Sequence, residues 1–145
     1  MDCTTNKIKT ARKEHTCFVI CYSTFCGQHY VYQDIGSPKM LSDAVLEGKK
    51  NVNINCGESS IDLDNGKKFI ICGYFFVFEE LSDACWYMDE LKRKKNEWIK
   101  YGIYRCKTPI GTKYCKGIDK IGFPWYKTIK VVCTKDLKFE ELVWW

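Results

Sequence analysis

The chain has 145 residues, of which 46% are hydrophobic, 15% aromatic and 28% charged, with 3 Pro and 10 Gly. That length predicts one domain, and that mixture can bury a core, which excludes a disordered, collagen-like or low-complexity chain. Lys and Arg number 23 against 18 Asp and Glu, a net charge of +5, milder than the balance of a dedicated nucleic-acid binder.

In chain order, residues 1–15 read as a mobile, basic N-terminal arm, and residues 16–145 as the single domain. "CFVICYSTF" at 17–25 is β-branched, aromatic and Cys-rich and predicts a buried strand. "HYVYQD", after a break at Gly27-Gln28, predicts a second. Ser37-Pro38 opens a short helix over about 38–47, because proline is tolerated in a first turn, and Gly48 stops it. "NVNINC" alternates polar and apolar residues as a half-buried strand does. Asp64-Asn65-Gly66 supplies the positive φ of a tight hairpin turn. The run "FIICGYFF" beyond it is apolar on both faces, which predicts one central strand. Ser82 is a candidate N-cap for a long helix over about 82–99, with Leu81, Cys85, Met88, Leu91, Trp98 and Ile99 on one stripe. Acidic residues early and basic residues late in this stretch complement the helix dipole. Strand patterns return in "YGIYRCKT", "GTKYCKG", "YKTIKVVCT" and "FEELVWW". The order predicts an α+β domain, a mostly antiparallel curved sheet with one long helix packed on it.

Ten cysteines are present, most of them inside apolar strand-like runs. No signal-like apolar stretch opens the chain and no run approaches the roughly 18–20 apolar residues of a membrane-spanning helix. The thiols are therefore expected to be free, filling space as small hydrophobes in a reducing compartment, the cytoplasm, away from membranes. The densest ligand-like group is Cys17, Cys21, Cys26 and His29, near His15. Its gaps, C-x3-C-x4-C-x2-H, contain no C-x2-C pair. Cys17 and Cys21 share a strand face about 13 Å apart at roughly 3.3 Å per residue, too far for one zinc ion. Buried strand cysteines are the expectation, with zinc binding as an alternative.

A nucleophilic pairing of Cys26 with His29 or His15 would need contact in space and an orienting third group. Phosphate-cradling glycine motifs are absent, and no cofactor is expected. Arg105, Lys113, Lys116, Trp125 and Lys127 interleave with tyrosines, the pairing of cations and stacking rings that holds single-stranded nucleic acid, with the lysines expected on one face. Trp144 and Trp145 at the C-terminus read as residues that close the core, or else as a hot spot for a partner protein.

The stretches "CGYFFVFEELSDACWY", "YGIYRCKTPIGTKYCKG", "IDKIG" and "TIKVVCTKDL", spanning about 72–136, resemble a small uncharacterised domain of phages and large DNA viruses. That domain has His where Tyr74 stands and Arg where Cys133 stands. The resemblance implies a viral source, and the domain has no established activity to carry over. In outline, the strand followed by an "A…Y" helix is also similar to ADP-ribosyltransferase folds, which cleave NAD. That resemblance implies roles for His29, for Tyr74 or Tyr87 as a ring clamp, and for Glu140 or Glu141 in polarising the ribose. Because no spacing concentrates acid, base, nucleophile and phosphate-binding groups, the leading expectation is a viral accessory protein that binds a host or viral macromolecule. A protein partner is the main reading, with nucleic acid and an NAD-using enzyme as alternatives.

Overall fold

The structure is a computed structural model that describes residues 3–5, 7–33, 39–54, 57–94, 98–121 and 127–144. Among the described residues, thirteen strands and two helices follow in chain order: β1 (Cys3–Thr5), β2 (Lys9–Thr10), β3 (His15–Ser23), β4 (His29–Val31), β5 (Lys39–Leu41), α1 (Asp43–Leu46), β6 (Val52–Asn53), β7 (Ser59–Asp62), β8 (Lys68–Cys72), β9 (Phe75–Phe78), α2 (Leu81–Arg93), β10 (Lys100–Thr108), β11 (Lys113–Ile121), β12 (Lys127–Thr134) and β13 (Asp136–Trp144). The strand order is β6-β13-β10-β3-β9-β12-β11-β1-β8-β7, with β4 and β5 branching from β3 and β2 from β11. Neighbours pair antiparallel, so the architecture is α+β on one curled sheet.

Around β3, β9 and β12 the sheet is buried on both faces, and the sequence explains why. Along β3, Ile20 and the half-buried Phe18 point to one side, while Cys17, Val19 and Cys21 point to the other. The first side packs under α2, against Ala84, Tyr87, Met88 and Leu91. The second packs under Val31, Leu41, Val45 and Val52, contributed by β4, β5, α1 and β6. Strand alternation with apolar residues in both registers requires two covers, one per face.

Four expectations are corrected. The run "FIICGYFF" is two strands, because Gly73 turns the chain at φ +92°, and a Cβ there would lie 2.7 Å from the Glu58 Cα. The turn sends β8 to a place beside β1 and β9 to a place between β3 and β12. The short helix is reduced to Asp43–Leu46, capped by the Ser42 hydroxyl on the Val45 N–H, because residues 39–41 are pulled into a strand opposite β4. The Ser37-Pro38 start lies outside the described residues. The long helix begins at Leu81 with Glu80 as N-cap and is capped by Lys94. Trp98 is therefore not on its apolar stripe but 71% exposed, edge-on to Phe25. The Asp64-Asn65-Gly66 hairpin between β7 and β8 is present, closed by the Leu63 N–H on the Lys67 carbonyl at 2.8 Å.

The N-terminal residues are the fourth correction. β1 is not part of a mobile arm; it lies between β11 and β8, with Cys3 fully buried and the Thr5 hydroxyl donating to the Lys116 carbonyl at 2.7 Å. The segment that follows is also held. Lys9 and Thr10 pair with Tyr114 and Lys113, and the Ala11 N–H donates to the Thr112 carbonyl. Cys3 and the alternation of small polar residues gave this short strand too little apolar content to be read as one. Removing residues 1–5 exposes the facing edges of β11 and β8 and is expected to lower the unfolding free energy by about 3 kcal/mol or more, from lost burial and ladder hydrogen bonds. Urea unfolding checks this; an unchanged midpoint would mean that β1 contributes nothing.

Candidate functional site

The N-terminal strands build an open groove of about 730 Å³, lined by Lys7, Ile8, Lys9, Thr10, Arg12, Lys13, His15 and Tyr114. Three structural causes put these residues together. Pairing of β2 with β11 lays the basic segment along Tyr114. The Gly111 N–H on the Ala11 carbonyl, at 2.8 Å, fixes the turn of that segment. The entry of β3 brings His15 onto Tyr114, with ring centroids 4.8 Å apart. Lys7, Lys9, Arg12 and Lys13 are exposed, and none of them forms an ion pair with a carboxylate among the described residues.

His15 is half-buried, anchored through its backbone N–H, which the Thr108 hydroxyl accepts at 3.1 Å. Burial, then Lys116 and Lys13, hold its imidazole below the ordinary histidine range. Burial is the larger cause, and the positive charge of Lys116, Lys13 and Lys9 adds to it. Such a place favours an anion, because bound negative charge relieves the repulsion among the lysines and lets the imidazole take a proton.

The sequence-predicted cations behave differently. Arg105 bonds Glu141 at 2.7 Å and lies 3.6 Å from Glu140. Lys113 faces Glu58 at 3.8 Å, Lys116 faces Glu79 at 3.2 Å, and Lys127 faces Asp83 at 3.2 Å beneath Trp86. Each is neutralised in place. Nor do the three lysines share one face. Lys116 lies across from Val132, on the α1 side, whereas Lys127 shares a side of β12 with Ile129 and Val131, under α2. Trp144 does not close the core: it is 53% exposed on β13, across from Ile103. Trp125 and Trp145 lie outside the described residues.

His29, Tyr74, Glu140 and Glu141 are not brought together. His29 pairs across from Ser23 and lines an aromatic hollow with Tyr22, Tyr101 and Tyr104. Glu141 is held at Arg105, which lies across from Phe18, so five residues of β3, roughly 16 Å at 3.3 Å each, separate the two places. Tyr74 is buried elsewhere; its hydroxyl donates to Glu58 at 2.8 Å, and the Lys135 ammonium lies 4.7 Å over its ring. Burial and that acceptor push the phenol up, and the same bond, with Lys135 and Lys113, holds the Glu58 carboxyl below its usual range. Tyr87 is in the core against Phe78. The residues of the alternative zinc reading are scattered as well. Cys17 and Cys21 are buried on the α1 side, where burial pushes Cys17 up to about 12, and Cys26 is exposed.

Sequence reasoning missed the groove because it took residues 1–15 as unstructured. The signal was there: Lys7, Lys9, Arg12 and Lys13 put four cations into seven positions. No protein-family model matches the chain, and neither does any curated protein or solved structure. The depressed His15 has a consequence for stability. The unfolded chain takes up a proton near the ordinary value of 6.5, while the folded chain takes it up only at lower pH, so folding stability falls as pH drops through and below that value. His15→Gln is expected to lose less stability than the parent between about pH 7 and pH 5, measured by urea unfolding at each pH. Equal losses would place the depressed group elsewhere.

Proposed function

We propose that this chain works by binding a macromolecule rather than by turnover, and that the partner presents an array of phosphates, as the backbone of a nucleic acid does. The supporting observation is the contrast between two sets of cations. Arg105, Lys107, Lys113, Lys116, Lys127 and Lys130 each face a carboxylate. Lys7, Lys9, Arg12 and Lys13 line one groove without one among the described residues. Repulsion among unneutralised cations destabilises the free protein, and a bound polyanion removes that cost. Three of the four are Lys, compact point charges suited to phosphate oxygens rather than to bidentate reading of base edges. Tyr114 is buried under His15, so it is a floor to the groove and not a ring free to stack on bases. The mode is electrostatic and tolerant of sequence. The viral source implied by the resemblance, and the cytoplasm as the place of action, belong to this proposal.

A protein partner has its own supporting observation, since Phe25 and Trp98 are 81% and 71% exposed and lean on each other. Large apolar rings left in water in contact are a usual mark of docking surfaces.

Fluorescence anisotropy with a labelled oligonucleotide, repeated across salt concentrations, separates the readings. The log–log salt slope is expected to fall by about 2–3 in a Lys9→Ala, Arg12→Ala, Lys13→Ala variant, at roughly 0.7–0.9 per phosphate contact. Lys127→Ala is expected to leave it unchanged, because Lys127 already faces Asp83. Absence of salt-sensitive binding to the oligonucleotide, with binding to an acidic polypeptide instead, would overturn the nucleic-acid reading in favour of a protein partner.

A further inference from the structure

Independently of the groove, three thiols converge in the core. Cys3 on β1, Cys115 on β11 and Cys133 on β12 come from three consecutive strands of the sheet, and their sulfur atoms lie within 4.8 Å of one another. All three are fully buried, on the α2 side. Cys115 and Cys133 are direct cross-strand partners, and Cys3 reaches them because residue 117 has no side chain. A Cβ on Gly117 would lie 2.5 Å from the Cys3 sulfur and would collide with the Thr4 carbonyl.

We propose that Cys3, Cys115 and Cys133 form a trithiolate site for a thiophilic, closed-shell metal ion, Cu+ or Zn2+. Sulfurs at about 2.3 Å from a common ion stand about 4.0 Å apart in a trigonal arrangement and about 3.8 Å apart in a tetrahedral one, so the observed cluster needs only small movements to close on an ion. Space-filling thiols elsewhere in this core do not converge in this way. Cys17 and Cys106 are also direct partners across β3 and β10, with Cys21 on the same face, yet the Cys17 thiol points to the Cys106 carbonyl at 3.7 Å. Among the described residues no second trio of ligand atoms gathers as tightly as the one in the α2 core.

Binding breaks three S–H bonds, forms three metal–sulfur bonds and releases three protons to solvent; no electron moves. Soft thiolate donors select Cu+ and Zn2+ over harder ions. The dry, three-sulfur geometry suits three-coordinate Cu+. Zinc would take a fourth donor, for which the half-buried Asp119 on β11, outside the trio, would have to move in. Either ion ties the N-terminal strand to the β11–β12 hairpin.

The test uses the full chain with Cys26→Ser, Cys72→Ser and Cys56→Ser, which remove the two exposed thiols among the described residues and the one cysteine outside them. Expected is one equivalent of Cu+ or Zn2+ held against a competing chelator, with affinity at least about 100-fold weaker when Cys3, Cys115 and Cys133 are changed to Ser. X-ray absorption on the loaded parent, which does not depend on the serine variant folding, is expected to show three sulfurs around the metal. Three sulfurs alone support the site and assign Cu+; three sulfurs and one oxygen support it and assign Zn2+. Failure to retain either ion, a shell dominated by nitrogen or oxygen, or undiminished binding by a folded serine variant would overturn the proposal.

Discussion

The short strand Cys3–Thr5 is the constraint on which the rest of the sheet depends. In the strand order, β8 and β7 join the sheet only through β1, which pairs with β11 on one side and β8 on the other. Three residues thereby satisfy the edges of two longer strands, whose unpaired N–H and C=O groups would otherwise be left without ladder partners. The fit is tight because of Gly117. With no side chain there, the Thr4 carbonyl and the Cys3 sulfur approach the β11 backbone closely. A larger residue would push β1 away, and β8 with it.

Docking of β1 also determines where charge accumulates. The chain leaves β1 next to β11 and must run back along it, so Lys7, Lys9, Arg12 and Lys13 are laid side by side against Tyr114. Elsewhere the fold places carboxylates opposite cations by cross-strand register. β10 and β13 bring Arg105 and Lys107 to Glu140 and Glu141, and the loop entering α2 brings Glu79 and Glu80 to Lys116 and Lys130. These pairs are largely solvent-exposed and contribute little to stability. Their effect is to offset charge locally, at the cations they face. The net charge of +5 is small, and four of the cations without a carboxylate partner among the described residues share the N-terminal groove.

Much of the fold was legible in local patterns. The hairpin at Asp64-Asn65-Gly66 could be read because its turn needs a positive φ at Gly66, and the α2 stripe because Met88 and Leu91 recur at helical spacing. The antiparallel α+β class followed from the order of such segments. What could not be read depends on pairing between distant residues. Nothing local distinguishes "FIICGYFF" as one strand from two, since the break at Gly73 is imposed by the close approach of Glu58. Residues 39–41 have helical neighbours and become a strand because β4 lies open beside them. The candidate cations on β10 and β11 were correctly seen as cations, but their partners on β13 and before α2 are set by register. Register is invisible to composition.

The same limit explains the cysteines. Spacing along the chain drew attention to Cys17, Cys21, Cys26 and His29, which a straight strand keeps apart. Convergence instead occurs across strands: Cys115 faces Cys133 on the neighbouring strand, and Cys3, more than a hundred positions earlier in the chain, reaches them over Gly117. Three neighbouring strands with one thiol each on the same face, and a glycine between them, therefore form a cluster without any motif. Residue 3 closes that cluster and residues 7–13 line the basic groove, so both features belong to one continuous N-terminal segment held against β11. Whatever fixes Cys3 in place also fixes the start of the segment that carries Lys7 and Lys9. Sulfur in the core and positive charge at the surface are in this sense consequences of a single docking event.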